Sequence, residues 1–292
     1  MELALRVASL LGSVRGVAAV VLGGSWARRE AHPDSDLDLG IYYHPDHRPS
    51  IGALRDVARQ LDDRHAAATV TDFGEWGAWI NGGAWLQIEG QKVDWLYRDL
   101  TRVRTSIEES RQGRVTVHYQ PGHPFGLPSY LYMGEVTSCL PLFDLQGEIA
   151  ALKARTVPYP AALGSAIVDR FLWEAGFAFE TARSSAERGD VSYVAGCLFR
   201  SVNCLVQVLF ALNERYLINE KGAVVAAERL PLHVPGFRAA VEEILGRPGR
   251  SPEELRASLQ RLEGMMTAVR TLISSSHLSQ ASDLSDVANP GG

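Results

Sequence analysis

Cysteine is scarce in this chain, and what little there is carries no pattern. Cys139, Cys197 and Cys204 cannot all pair within one chain, and none has the close spacing of a zinc site, so neither a disulfide framework nor a structural zinc is expected. Cys197 and Cys204 stand seven apart in an apolar helical stretch, which puts them on one face and reads as packing. Long apolar runs are also missing. Arg6 and Arg15 interrupt the opening segment MELALRVASLLGSVRGVAAVVLGGS, and no continuous run reaches the ~20 residues of a membrane span. With no signal-peptide pattern either, the expected setting is the cytoplasm, away from membranes. Positive charge is not in excess: the formal net charge is -5 and the pI about 5.9, so no global basic field exists to hold a nucleic-acid backbone. A mildly acidic surface concentrates cationic small molecules instead. The eight histidines are scattered without ligand spacing, and no repeat recurs at a period of 20 to 50 residues.

What is present is an ordinary globular composition, 292 residues of which 46% are apolar, enough for one large domain or two smaller ones. Residues 2–13 have helical spacing, Val17–Leu22 is a β-branched run ending in Gly23 and Gly24, and DLDLGIYY (36–43) alternates before turning apolar. Residues 50–65 are periodic as a helix, and 85–88 with 92–97 flank Gly90 as a hairpin. Gly and Pro crowd 112–130, as in a connection, and from about 147 the pattern becomes a succession of helices. The expected fold class is α+β: a small mixed-sheet domain over 1–110, a connecting segment over 111–146, an all-α helical bundle over 147–275 and a disordered polar tail over 276–292.

The chemistry lies in the first domain. A Gly-Gly-Ser turn at 23–25, leaving a buried strand and opening a helix, frees backbone N–H groups and adds a hydroxyl where phosphate oxygens fit. About ten residues on, Asp36 and Asp38 point to one side of a strand, and two carboxylates side by side call for a shared cation such as Mg²⁺. A third carboxylate, Asp94, sits among apolar neighbours in KVDWL, as a strand residue reaching into a site would.

Leu22-Gly23-Gly24-Ser25, Asp36-Leu37-Asp38-Leu39 and Val93-Asp94-Trp95 together resemble, in order and spacing, the motif of the polymerase-beta-like nucleotidyltransferase superfamily, over roughly residues 15–100. The resemblance implies that Asp36, Asp38 and Asp94 are catalytic and bind Mg²⁺, and that Gly24 and Ser25 bind the triphosphate of ATP or another nucleoside triphosphate. It leaves Asp94 as metal ligand, as base for the attacking hydroxyl, or as both. Arg28 resembles the arginine of Gly-Ser-x-Ala-Arg versions of the motif; it contacts phosphate, fixes the loop or is a surface arginine.

The segment Asn219-Glu220-Lys221-Gly222-Ala223, with Leu230-Pro231 beyond it, is similar to a segment of the helical domain of aminoglycoside adenylyltransferases, whose lysine reaches the nucleotide phosphates. That resemblance makes Lys221 a nucleotide-binding candidate, the other reading being a solvated lysine at a helix start. Lys153 is a further nucleotide-binding candidate and Glu89 an acceptor-binding one, each also readable as a solvated charge. Trp76, Trp79, Trp85 and Trp95 concentrate near Asp94, where rings stack on a base or sugar or simply fill the core. The expected reaction is transfer of AMP from ATP to a hydroxyl of a small molecule, with an aminoglycoside or lincosamide antibiotic as first guess. The alternatives are RNA, which overall acidity disfavours, a protein side chain, and a non-catalytic nucleotide-binding module, which retention of all three carboxylates opposes.

Overall fold

The computed structural model describes residues 1–32, 34–65 and 69–286, apart from the side chains of 69 and 277–286. The chain divides into two compact units, Met1–Pro160 and a second beginning at Ala161.

The first unit runs α1 (Glu2–Gly12), β1 (Val17–Leu22), α2 (Gly24–Ala27), β2 (Leu37–Tyr43), α3 (Ile51–Leu61), β3 (Thr69–Val70), β4 (Gly83–Ile88), β5 (Gln91–Asp99), α4 (Leu100–Arg111), β6 (Val117–His118), β7 (Leu127–Pro128), α5 (Leu131–Ser138), β8 (Leu140–Phe143) and α6 (Glu148–Thr156). Six strands form one mixed sheet in the order β3-β4-β5-β2-β1-β8, and β6 pairs with β7 apart from it. Within the large sheet β2 and β5 are parallel, while the other neighbours are antiparallel. Local chemistry sets the boundaries. Ser50 caps α3 by accepting from Ala53 N, and Asp99 caps α4 by accepting from the amides of Thr101 and Arg102. The hairpin β4–β5 closes through Glu89 and Gly90, both at positive φ (54° and 77°), with the Asp63 carboxylate accepting from both amides.

Side-chain alternation divides the sheet into two faces. Leu37, Leu39, Ile41 and Tyr43 of β2 and Val93, Trp95 and Tyr97 of β5 pack with Val7 and Leu11 of α1 and Leu54 of α3 in one buried core. The intervening positions, Asp38 and Gly40 on β2 and Lys92, Asp94, Leu96 and Arg98 on β5, lie on the opposite face.

The segment 111–146, read as a connection for its Gly and Pro, belongs to the first unit. Phe125, Leu127, Tyr130 and Leu131 are buried, and Ser106 Oγ donates to the Ser129 carbonyl, so packing holds the segment despite its irregular backbone. Likewise α6 completes the first unit rather than opening the bundle, whose first residue is Ala161, not 147.

The second unit is α7 (Ala161–Glu187), α8 (Val191–Leu212), α9 (Ala223–Glu228), α10 (Phe237–Gly246) and α11 (Pro252–Asp286). The protein is thus α+β, with mixed sheet and helices first and helices alone after. In length and composition α8 could cross a membrane, yet 67% of its most apolar window is buried within the protein and its Arg200 pairs with Glu174 of α7, which makes it a core helix. Helix α11 continues past 275 to Asp286, beyond the start of the expected tail; 287–292 lie outside the described residues. The three thiols are free. Burial raises the pKa of Cys204 and pushes that of Cys139 up to about 11, which keeps both protonated and unreactive.

Candidate active site

The site begins where β1 ends. Gly23 N donates to the Asp38 carbonyl at 2.9 Å, so the chain stays paired to β2 as it turns into the short helix α2. Gly24 has φ +59°, and a Cβ on it would stand 1.8 Å from Asp38 Oδ2. Glycine is required on both counts, and its missing side chain is the space the Asp38 carboxylate uses. Ser25 follows, half-buried. The loop leading to Asp36 is pinned at the Ser35 carbonyl, which accepts from Trp26 Nε1 (3.4 Å) on α2 and from Gln91 Nε2 (2.7 Å) on β5.

The parallel register sets Asp38 directly beside Asp94, and the antiparallel register sets Trp85 of β4 on the other side of Asp94. Paired residues on adjacent strands share a face at an interstrand spacing of ~4.8 Å, so Asp38, Asp94 and Trp85 form a row across three strands. Asp36 lies just before β2, and its Oδ1 is 3.9 Å from Lys92 Nζ. Burial raises the pKa of Asp38, and the charges of Asp36 and Glu135 raise it further against the opposing pull of Arg28 and Arg98.

Among the described residues no group of three or more His, Cys, Asp or Glu side chains is arranged to hold a metal ion by itself. The chemistry of the donors nonetheless fits Mg²⁺. Hard carboxylate oxygens that repel one another beside a phosphate-sized turn match a cation that takes one or two carboxylates and completes its shell with water and substrate phosphates.

The remaining sequence candidates separate. Arg28 caps the end of α2 and pairs with Glu30 at 2.8 Å, close enough to Asp38 to lower its pKa. The Lys153 ammonium donates to the carbonyls of Val136 (3.1 Å), Thr137 (2.7 Å) and Cys139 (2.7 Å) at the end of α5, which uses all three of its protons. Glu89 pairs with Arg6 of α1, on the face of the sheet opposite the carboxylates, so it does not line the site. Lys221 belongs to the second unit, exposed on the turn before α9, its amide donating to Asn219 Oδ1.

Sequence reading missed Arg98 and Glu135. Arg98 is buried on the Asp94 face and makes a two-pronged pair with Glu135 of α5 at 2.8 and 2.7 Å, its Cζ 5.7 Å from the Tyr132 ring centroid. The alternation Lys92, Asp94, Leu96, Arg98 carried a signal for Arg98; nothing local to α5 marked Glu135.

Residues 1–115 match the nucleotidyltransferase domain family. No curated protein matches the chain. The crystal structure of a nucleotidyltransferase-like protein from Exiguobacterium sibiricum 255-15 is similar over 94% of this chain and 78% of its own, with 11% identity and a TM-score of 0.45. The row of carboxylates beside a glycine turn therefore sits in a nucleotidyltransferase domain of the polymerase-beta-like superfamily.

Proposed function

We propose that this protein transfers AMP from ATP, with Mg²⁺, to a hydroxyl of a cationic small molecule, with an aminoglycoside or a lincosamide as the acceptor class, and that it does so in the cytoplasm. The observation that carries the reading is the fit of Asp38 into the space left by Gly24, with Asp94 in register beside it. The turn at 23–25 binds phosphate oxygens through its amides and the Ser25 hydroxyl. Asp36 and Asp38 hold the cation, which, when bound, supplies charge neutralisation to the departing pyrophosphate. Asp94 accepts the proton of the acceptor hydroxyl as its oxygen forms a bond to the α-phosphorus and the bond to the bridging oxygen breaks. The net charge of -5 supports a cationic acceptor over a polyanionic one.

The test is incubation of the protein with labelled nucleoside triphosphates, Mg²⁺ and a panel of aminoglycosides, lincosamides, tRNA and protein, scored for acceptor-dependent label. Label on a small molecule, strongest with ATP, is the expected result. Label confined to tRNA or protein would reassign the acceptor, and none on any acceptor would refute the proposal.

A further inference from the structure

Large aromatic side chains on a sheet are normally buried, and Trp95, on the core face of β5, is fully so. Trp85 is not: 53% of its surface is exposed, on the face that carries the catalytic carboxylates. It is also not a loose surface ring. Trp76 stacks against it with ring centroids 4.4 Å apart and planes 23° from parallel. Room for Trp76 comes from Gly83, two residues before Trp85 on the same strand, where an added Cβ would stand 3.1 Å from Trp76 Cζ3. The Trp76 carbonyl accepts from Gln120 Nε2 at 2.6 Å, which ties the loop bearing the ring to the rest of the unit. Arg64 Nη2 donates to the Trp85 carbonyl at 3.1 Å, and Arg64 is itself held by Asp62. A flat double-indole platform is thus fixed next to Asp94.

We infer that the Trp76–Trp85 platform is the acceptor subsite, and that it takes a polyhydroxylated ring, a sugar or aminocyclitol, whose apolar C–H face lies on Trp85 while a hydroxyl at its edge reaches Asp94. The inference rests on the nucleotidyl-transfer reading and deepens it. Strand order argues for acceptor rather than nucleotide. Gly24 leaves β1, Asp38 is on β2, Asp94 on β5 and Trp85 on β4, and the strands adjoin in that order. The phosphate-binding turn and the aromatic platform therefore lie on opposite sides of Asp94, at ~4.8 Å per strand. An acceptor approaching from the platform meets Asp94 before it meets the α-phosphorus, the order that proton removal and in-line attack require. A ring with alternating C–H and hydroxyl surface matches an aromatic face beside a carboxylate, and a protonated amine on that ring gains further from both.

The test is calorimetric titration of the full chain with kanamycin and with lincomycin, in the absence of nucleotide and metal, and separately with ATP and Mg²⁺, for wild type, Trp85→Ala and Trp85→Phe. At least one of the two ring compounds should bind wild type saturably, weaken about tenfold or more in Trp85→Ala, and recover most of that loss in Trp85→Phe, which keeps an aromatic face. ATP affinity should change less than about twofold in either variant. Unchanged ring-compound binding in Trp85→Ala, no saturable binding of either compound to wild type, or a loss confined to ATP would each overturn the inference. Thermal unfolding confirms that the variants fold; if Trp85→Ala does not, Trp85→Gln, which keeps bulk but no aromatic face, takes its place with the same expected loss. Failure of ATP to bind wild type would instead count against nucleotidyl transfer, and the acceptor titrations, run without nucleotide, are read independently of it.

Discussion

Gly24 and Asp38 compete for one volume: the Asp38 Oδ2 lies 1.8 Å from where a Cβ on Gly24 would be. The glycine is therefore part of the carboxylate's seat as well as a turn residue with φ +59°. Gly24→Ala should force Asp38 aside and strain the backbone at a cost of roughly 1–2 kcal/mol in stability. Transfer should fall by about 100-fold or more, because a displaced catalytic group loses its alignment. Steady-state kinetics with thermal unfolding of the same variant checks both parts, and near-normal turnover would show that the seat is unimportant.

Changing Asp36 or Asp38 to Asn keeps the side-chain volume but removes the charge that the cation needs. Turnover should be abolished in each with the fold intact. Retention of more than about a tenth of wild-type turnover by both, a deficit under ~1.4 kcal/mol, would rule out a catalytic metal role.

Asp94→Asn separates two jobs. If Asp94 is mainly the base, Mg²⁺ and ATP affinities stay near normal and kcat drops by something on the order of 10² to 10⁴. A requirement for much more Mg²⁺, with partial recovery in Mn²⁺, would instead mark a ligand. We favour a combined role with the base function dominant, because Asp36 and Asp38 already supply the spacing of a minimal metal clamp.

Lys153→Met should lower stability by ~1–3 kcal/mol, since three carbonyls at the end of α5 lose their donor. The KM for ATP should stay within about twofold of wild type. A large rise in that KM, measured on folded protein, would restore Lys153 to the nucleotide site.

Asp62 joins α3 to the hairpin that carries Asp94. Burial alone would raise its pKa, but pairing with Arg64 and the Gln87 amide at 2.8 Å outweigh burial and hold it below the usual carboxylate range. A lowered folded-state pKa contributes stability that is present above the unfolded value and lost as pH falls through the folded one. Asp62→Asn should therefore melt below wild type at pH 7, with the gap closing as both are taken below the usual carboxylate range. A gap independent of pH would mean that shape, not charge, is what Asp62 supplies.

The carboxylate motif was legible because its parts are local. Two residues apart on a strand means one face, so Asp36 and Asp38 declared their common direction, and Gly23-Gly24-Ser25 after a β-branched run declared a turn. The helix α4 was not anticipated, because its Arg and Glu residues dilute the stripe of Leu100, Val103 and Ile107 that packs inward. Residues 111–146 read as a linker because Gly and Pro describe backbone freedom, whereas burial of Phe125 and Tyr130 depends on partners far along the chain.

Alternation, turn chemistry and capping act over a few residues, and from them the chain alone specified an α+β order, the glycine turn and three candidate carboxylates. Pairing acts across tens of residues. That Asp94 stands beside Asp38, that Lys153 spends its charge on α5, that Glu89 turns to Arg6 and that Trp85 stays in solvent while Trp95 is buried all depend on strand register and helix placement, which no short window contains. A residue's type limits the chemistry open to it, and its distant neighbours select which part of that chemistry it performs.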